Sequence, residues 1–270
     1  VRPPDPGPLA PLCADPSRAA LLLDLDGTLA PIVPRPEDAR MVDGAREVLD
    51  ALRDRVGLLG FVSGRGLADL ERIVGMAGCA YAGNHGMELR APGQEVRIPE
   101  VARPYLPAVA AFARGCDPAV LAPDGIRLED KGATLSLHWR TAPDPARAER
   151  ILREELALAA EAGGLRVTWG RMVMEVRPPV PVDKGTAVRD LLGHAGSRRA
   201  AYIGDDRTDA DAWAALRAMA AEGLLDAAVA VAAVGAEVPP EVRAAADAEV
   251  PGPAGVLELL RGLLAALPAG

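Results

Sequence analysis

The feature that most restricts the fold is a set of short apolar runs that stop abruptly at Gly, Ser or Asp. LLLD (21–24), VGLLGFV (56–62), AAYIG (200–204) and the Ala/Val run at 227–234 are nearly continuous in apolar residues. Runs of that kind are strands buried on both faces, as in parallel sheets. Between them lie helical patterns at 43–55, 67–74, 184–192 and 208–221, and a last one at 254–267 after the Pro-Gly-Pro break. Strand and helix in alternation predict an α/β fold built on a doubly wound, mostly parallel, Rossmann-like sheet.

The middle of the chain follows a different rule. A helix is expected at 103–114, one or two strands at 126–139, a helix at 144–162 and a strand pair around Gly170 at 165–177. That order predicts a smaller α+β cap domain at 103–181, inserted into a core formed by 18–102 and 182–270, with Pro-rich edges at Pro99, Pro104 and 178–182. Residues 1–17, with six prolines among the first 16, are expected to be a flexible lead-in without the apolar core of a signal peptide. No stretch of about 18 apolar residues occurs, so no membrane partner is expected. The formal net charge of -8 argues against nucleic acid as the main partner. Three scattered cysteines, Cys13, Cys79 and Cys116, form no C-x-x-C pair, so a reducing, cytoplasmic setting is expected.

The chemistry-bearing residues gather where these strands end. Asp24 and Asp26 leave the first strand at i and i+2, the end at which open α/β sheets place ligands. Two such carboxylates repel each other unless a cation lies beside them, and Mg²⁺ is the hard ion that suits oxygen ligands. One can attack phosphorus to form an aspartyl-phosphate; the other can give a proton to the leaving oxygen and later take one from water. Gly27 allows the sharp exit, and Thr28 offers a hydroxyl and an N–H to phosphate oxygens. Taken alone, the pair could equally be a turn cluster. Ser63-Gly64-Arg65 follows the second strand and offers a hydroxyl and a backbone N–H to phosphate. Lys184 opens a helix, where the dipole disfavours a cation; a role in neutralising phosphate and keeping the attacking carboxylate ionised explains it better. Asp205, Asp206 and Asp209 close the 200–204 run and can supply another metal carboxylate and supporting acceptors.

In that order, an aspartate pair, a small hydroxyl, a lysine and an acidic cluster resemble the haloacid dehalogenase superfamily of phosphohydrolases. Asp26 favours attack on phosphorus, since members that attack carbon lack an aspartate there. More narrowly, LLLDLDGTLAPIVPRPEDAR (21–40), GNHGMEL (83–89), LEDKGATLSLHWR (128–140), GRMVMEVRPP (170–179) and GDDRTDADAW (204–213) are similar to the trehalose-6-phosphate phosphatase family. The resemblance implies Mg²⁺-dependent hydrolysis of trehalose 6-phosphate, a small-molecule sugar phosphate; a monomer is expected. It implies Asp24 as nucleophile, Asp26 as general acid and base, and Asp24, Asp205 and the Asp26 carbonyl as metal ligands. Ser63 and Lys184 would hold the phosphoryl group, with Asp206 and Asp209 in support. The cap would contribute Glu129, Lys131 and Glu175 to the sugar, with Asn84, His85 and Gly86 on the core side. On extended strands Glu129 and Lys131 share a face, as do His138 and Arg140, and Arg171 and Glu175, so His138, Arg140 and Arg171 join the candidate sugar contacts.

One departure concerns the last motif, where the family usually has T-D-E and this chain has Ala210 followed by Asp211. Rival readings are another sugar-phosphate phosphatase or a phosphosugar mutase of the same superfamily. From another class, a phospho-accepting signalling module also places acids and a lysine at strand ends, though in about half this length and without a cap.

Overall fold

Buried along all five of its residues, β1 (Ala19–Leu23) lies at the centre of the sheet. The computed structural model describes residues 5–268 apart from 34, 171, 236 and 237. After β1 come α1 (Ala45–Arg53), β2 (Leu58–Val62), α2 (Leu67–Val74), β3 (Ala80–Gly83) and β4 (Glu88–Arg90). The middle of the chain forms α3 (Leu106–Gly115), α4 (Pro118–Leu121), β5 (Arg127–Asp130) and β6 (Leu135–His138). There, α5 (Pro145–Ile151) runs through a π-helical turn, Leu152–Leu156, into α6 (Ala157–Ala162), followed by β7 (Arg166–Gly170) and β8 (Val173–Arg177). The chain then adds α7 (Lys184–Ala195), β9 (Arg199–Gly204), α8 (Arg207–Ala221), β10 (Ala227–Ala233), α9 (Pro240–Ala245), β11 (Ala248–Val250) and α10 (Gly252–Ala266).

The chain divides into two units: the segments up to Arg97 and from Val182 form one, and Ile98–Pro181 the other. In the first, a seven-stranded sheet runs in the order β11-β10-β9-β1-β2-β3-β4, parallel throughout except for the β3–β4 hairpin. Alternation along β1 explains its double burial. Leu21 and Leu23 join the cluster containing Leu49, Leu52 and Leu260, whereas Ala20 and Leu22 join that of Leu191, Trp213 and Leu216.

The second unit is a four-stranded antiparallel sheet, β5-β6-β8-β7. Leu135, Leu137, Met174 and Val176 pack with Val109, Leu152 and Ala160 of its helices. Ser136, His138 and Glu175 alternate with them and so occupy the opposite face. The unit begins at Ile98, earlier than the 103 expected from pattern, because the Pro99 break precedes a 3₁₀ turn at Glu100–Tyr105.

Two local expectations change. The proline-rich lead-in is ordered over Gly7–Ala14 as a 3₁₀ helix, with Leu9 and Leu12 fully buried in the cluster that holds Leu257 and Leu260. At three residues per turn these leucines fall on one face, and burying them offsets the cost of ordering the segment. The β3–β4 hairpin and β11 were not visible as patterns, since strands of three or four residues carry too little alternation.

Candidate active site

Two adjacent strands deliver the central carboxylates. β1 and β9 pair in parallel, and Asp24 and Asp205 follow their carboxyl ends. Strand order reverses between these two strands, which is the crevice where doubly wound sheets hold ligands. The Asp24 N–H donates to the Ile203 carbonyl at 2.9 Å, so the sheet ladder itself holds the residue in place.

Lys184 is 2% exposed, and its Nζ donates to Asp24 Oδ1 at 2.8 Å and to Asp209 Oδ1 at 2.6 Å. It is the first residue of α7, capped by Asp183, whose carboxylate accepts from the Thr186 N–H at 2.7 Å. Burial works against the ammonium, but Asp209 and Asp24 outweigh it and hold the lysine well above its ordinary pKa. Asp209 commits both oxygens: besides Lys184, Oδ1 accepts from Tyr202 Oη at 2.7 Å, and Oδ2 accepts from the backbone N–H groups of Asp205 and Asp206 at 2.8 and 2.9 Å. Asp206, in turn, caps α8 and accepts from the Thr208 N–H at 2.8 Å.

Oxygens of Asp24, Asp205 and Asp209 lie within 4.8 Å of one another. Burial pushes the Asp24 carboxyl well above its ordinary value, with Asp209 and Asp205 adding to the effect against Lys184. Burial, then Asp209 and Asp206, pushes Asp205 up to about 8. One buried ammonium does not balance these acids, and the donors are all hard oxygens, so the cluster suits a divalent cation. A measurable consequence follows. Without cation, folded Asp205 keeps its proton up to about pH 8, whereas an unfolded aspartate loses it near 3.8. The folded state therefore binds more protons between those values, and stability falls as pH rises through that window. Thermal melts in chelator are expected to show the midpoint dropping from about pH 5 to about pH 8, and a divalent cation to reverse the drop. A midpoint indifferent to cation at about pH 8 would contradict a metal site.

Gly27, at φ +81, turns the chain out of the strand region, and a Cβ there would overlap the Asp205 carboxylate. Thr28 is fully buried, and its hydroxyl finds no hydrogen-bond partner among the described residues, while its N–H donates to the Leu25 carbonyl at 3.3 Å. Ser63 is buried at the end of β2, with its Oγ accepting from the Arg65 N–H at 3.2 Å. Arg65, expected among the phosphate-binding groups, is otherwise engaged. Its Nε and Nη2 donate to Asp26 at 2.6 and 2.8 Å, and its Nη1 to Asp69 at 2.6 Å and the Pro36 carbonyl at 2.9 Å. A planar guanidinium forks onto a carboxylate in this way, so Arg65 fixes the orientation of Asp26. Asn84, His85 and Gly86 form the tip of the β3–β4 hairpin, with the His85 ring lying against Gly64.

Within the second unit, Glu129 and Glu175 flank Ser136 across three strands. His138 Nε2 lies 2.7 Å from Glu129 Oε2, and Lys131 Nζ is 4.0 Å from Glu175 Oε1. Burial would raise Glu129, but the His138 hydrogen bond and Lys131 hold it down at about 2. Arg140 departs from expectation: β6 ends at His138, so Arg140 is an exposed turn residue and strand alternation does not place it beside His138. Lys131 likewise follows the end of β5, with its N–H bonded to the Thr134 carbonyl at 3.0 Å. Arg171 lies outside the described residues.

Three contributors escaped sequence reasoning. Tyr202 reads as an ordinary core aromatic, Glu88 stands within GNHGMEL but its partners are set by the fold, and Asp69 is four residues from Arg65 but only the fold shows that it and Asp26 share that guanidinium.

Sheet order, inserted α+β unit and acids at two strand ends define a haloacid dehalogenase-like hydrolase fold. A solved protein of that description from Bacteroides thetaiotaomicron superposes with a TM-score of 0.59 at 17% identity, covering 91% of this chain and 99% of that one. The chain belongs to the trehalose-phosphatase family, whose model matches residues 22–241. Among solved structures, the C-terminal domain of trehalose-6-phosphate phosphatase from C. albicans is similar, with a TM-score of 0.69, 24% identity and coverage of 98% of this chain and 99% of that chain. The trehalose-phosphate phosphatase of Mycobacterium marinum is 36% identical over 204 residues, 74% of this chain and 52% of that protein. An uncharacterized glycosyl hydrolase of Mycobacterium tuberculosis is 39% identical over 207 residues, 74% of this chain but 15% of that protein. The chain thus spans about half the length, or less, of these curated relatives. No helix among the described residues is long and apolar enough to cross a membrane.

Proposed function

We propose that the protein hydrolyses trehalose 6-phosphate to trehalose and phosphate through an aspartyl-phosphate. The observation that carries this reading is Lys184, buried between Asp24 and Asp209 beside the end of β9, within a chain of the trehalose-phosphatase family. Asp24 attacks phosphorus with the oxygen that Lys184 does not hold, and the bond to the sugar oxygen breaks. Asp26 donates the proton that the leaving oxygen takes, then accepts one from the water that attacks the aspartyl-phosphate, releasing phosphate and restoring Asp24. Arg65 holds both Asp26 oxygens, so Asp26 reaches the leaving oxygen once one of those hydrogen bonds opens. Lys184 offsets phosphoryl charge, and the Ser63 and Thr28 hydroxyls donate to phosphoryl oxygens. Asp24, Asp205 and the Asp26 carbonyl would hold Mg²⁺, which when bound offsets charge on the phosphoryl group.

Glu129, His138 and Glu175 on one polar sheet face, with Lys131 just past the end of β5, supply acceptors and donors, a chemistry suited to the hydroxyls of a disaccharide. Asn84 and His85, at the β3–β4 hairpin tip, are sugar contacts in the same reading. Free cysteines at 13, 79 and 116 support a cytoplasmic setting. The direct test is phosphate release from trehalose 6-phosphate, glucose 6-phosphate and other sugar phosphates, with Mg²⁺ and with chelator. Turnover of trehalose 6-phosphate in Mg²⁺, and its loss in chelator, is the expected result. Good turnover of a different sugar phosphate with none of this one would replace the substrate.

A further inference from the structure

Three consecutive residues at the hairpin tip have left-handed backbone: Asn84 at φ 51, His85 at φ 54 and Gly86 at φ 97. Glycine adopts this freely; asparagine and histidine do so more readily than most residues but still at a cost that the surroundings must offset. Here they do. The Asn84 N–H donates to the Arg65 carbonyl at 2.7 Å and the His85 N–H to the Ser63 carbonyl at 3.0 Å. A Cβ on Gly64 would come within 2.6 Å of the His85 ring, and one on Gly86 within 2.8 Å of the Asp183 carbonyl. One tip therefore packs against both the Ser63 loop and the residue preceding Lys184.

The base of the same hairpin is closed by one side chain outside the proposed chemistry. Glu88 pairs across the strands with Gly83, and its Oε2 accepts from Asn84 Nδ2 at 2.6 Å and from the Leu67 N–H at 2.9 Å. Leu67 opens α2, whose N-cap residue, Gly66, has no side chain to satisfy that N–H. A carboxylate suits this place, both as a charge-assisted acceptor and beside a helix N-terminus. We propose that Glu88 is a positioning residue: it aims the Asn84 amide and ties the strained tip to α2, setting the spacing between the Ser63 loop and the sugar-side residues. The substrate role of Asn84 rests on the proposed function; the tie itself does not.

The test compares Glu88→Ala, Glu88→Gln, Asn84→Ala and the Glu88→Ala/Asn84→Ala double variant. Glu88→Ala is expected to raise KM for trehalose 6-phosphate about tenfold, with kcat held within about threefold. The double variant should be no worse than Asn84→Ala, because the two residues act as one unit. Glu88→Gln, which keeps an acceptor oxygen, should fall between wild type and Glu88→Ala, and it decides the matter if Glu88→Ala does not fold. Additive losses, or an unchanged KM in a folded variant, would overturn the proposal. Amide hydrogen exchange supplies a readout that needs no substrate: Leu67 and Asn84 should exchange faster in Glu88→Gln than in wild type while the β1 amides do not, and equal exchange would overturn it too. Should the wild-type protein release no phosphate from trehalose 6-phosphate, the proposed function fails and hydrogen exchange judges Glu88 independently.

Discussion

Asp24→Asn is expected to lower phosphate release by at least about 10⁴-fold while leaving the protein folded. The amide is nearly the same size as the carboxylate and can still accept the hydrogen bond from Lys184, so the β1 ladder and the α7 cap stay in place. What disappears is the anionic oxygen able to form a bond to phosphorus. Stability should move the other way. Burial and the neighbouring acids, Asp209 and Asp205, disfavour the Asp24 charge, so a neutral side chain relieves repulsion. In the absence of cation the melting temperature of Asp24→Asn should equal or exceed that of wild type. An enzyme within tenfold of wild-type turnover would remove Asp24 as the nucleophile, and a large fall in melting temperature would mean that its charge is structural.

Lys184 should lose both activity and stability. It is enclosed by Asp24 and Asp209, with Asp206 at 3.9 Å, so Lys184→Ala leaves these acids without the ammonium that binds them. Removing one partner from such a buried group costs about 3–5 kcal/mol, to be read by urea unfolding in chelator. Turnover should fall by about 10³-fold or more, since charge on the phosphoryl group is then unopposed on that side. Lys184→Arg is the more searching variant. The chain has two lysines, Lys131 and Lys184, among 30 basic residues, so arginine is what its composition would supply. A planar fork is larger than the ammonium and spreads its donors in one plane, so it fits poorly where a compact charge sits between Asp24 and Asp209 in a site 2% exposed. Turnover of Lys184→Arg within tenfold of wild type would show that any cation suffices.

Much of the core was legible because buried parallel strands announce themselves as apolar runs and stop where the chain must turn. The expected helix at 67–74 is α2, and the expected strands at 200–204 and 227–234 are found as β9 and β10 with ends shifted by a residue. Residues that act through partners were much less legible. Arg65 reads locally as a cation beside a hydroxyl, and nothing within Ser-Gly-Arg indicates that its guanidinium is taken by Asp26, 39 positions earlier. Arg140 shows the converse: strand alternation stops at His138, where β6 ends, and does not carry on to Arg140. Leu9 and Leu12 sit among prolines and so read as loose chain, though their burial against α10 is a tertiary fact.

The local code was enough to mark which residues could do chemistry, because carboxylates, a hydroxyl and a lysine at the ends of buried strands are out of place in a structural role. Who partners whom was left to packing. Lys184 and Asp24 are 160 positions apart and meet because β1 lies beside β9 at the point where strand order reverses. The same register presses Asp205 against Gly27 and takes up both oxygens of Asp209, so that acids equivalent in sequence become the proposed attacking group, a candidate metal ligand and a strut. In water those carboxylates would be nearly alike; at a crevice of low dielectric, a few ångströms of packing decide which charge is opposed and which is not.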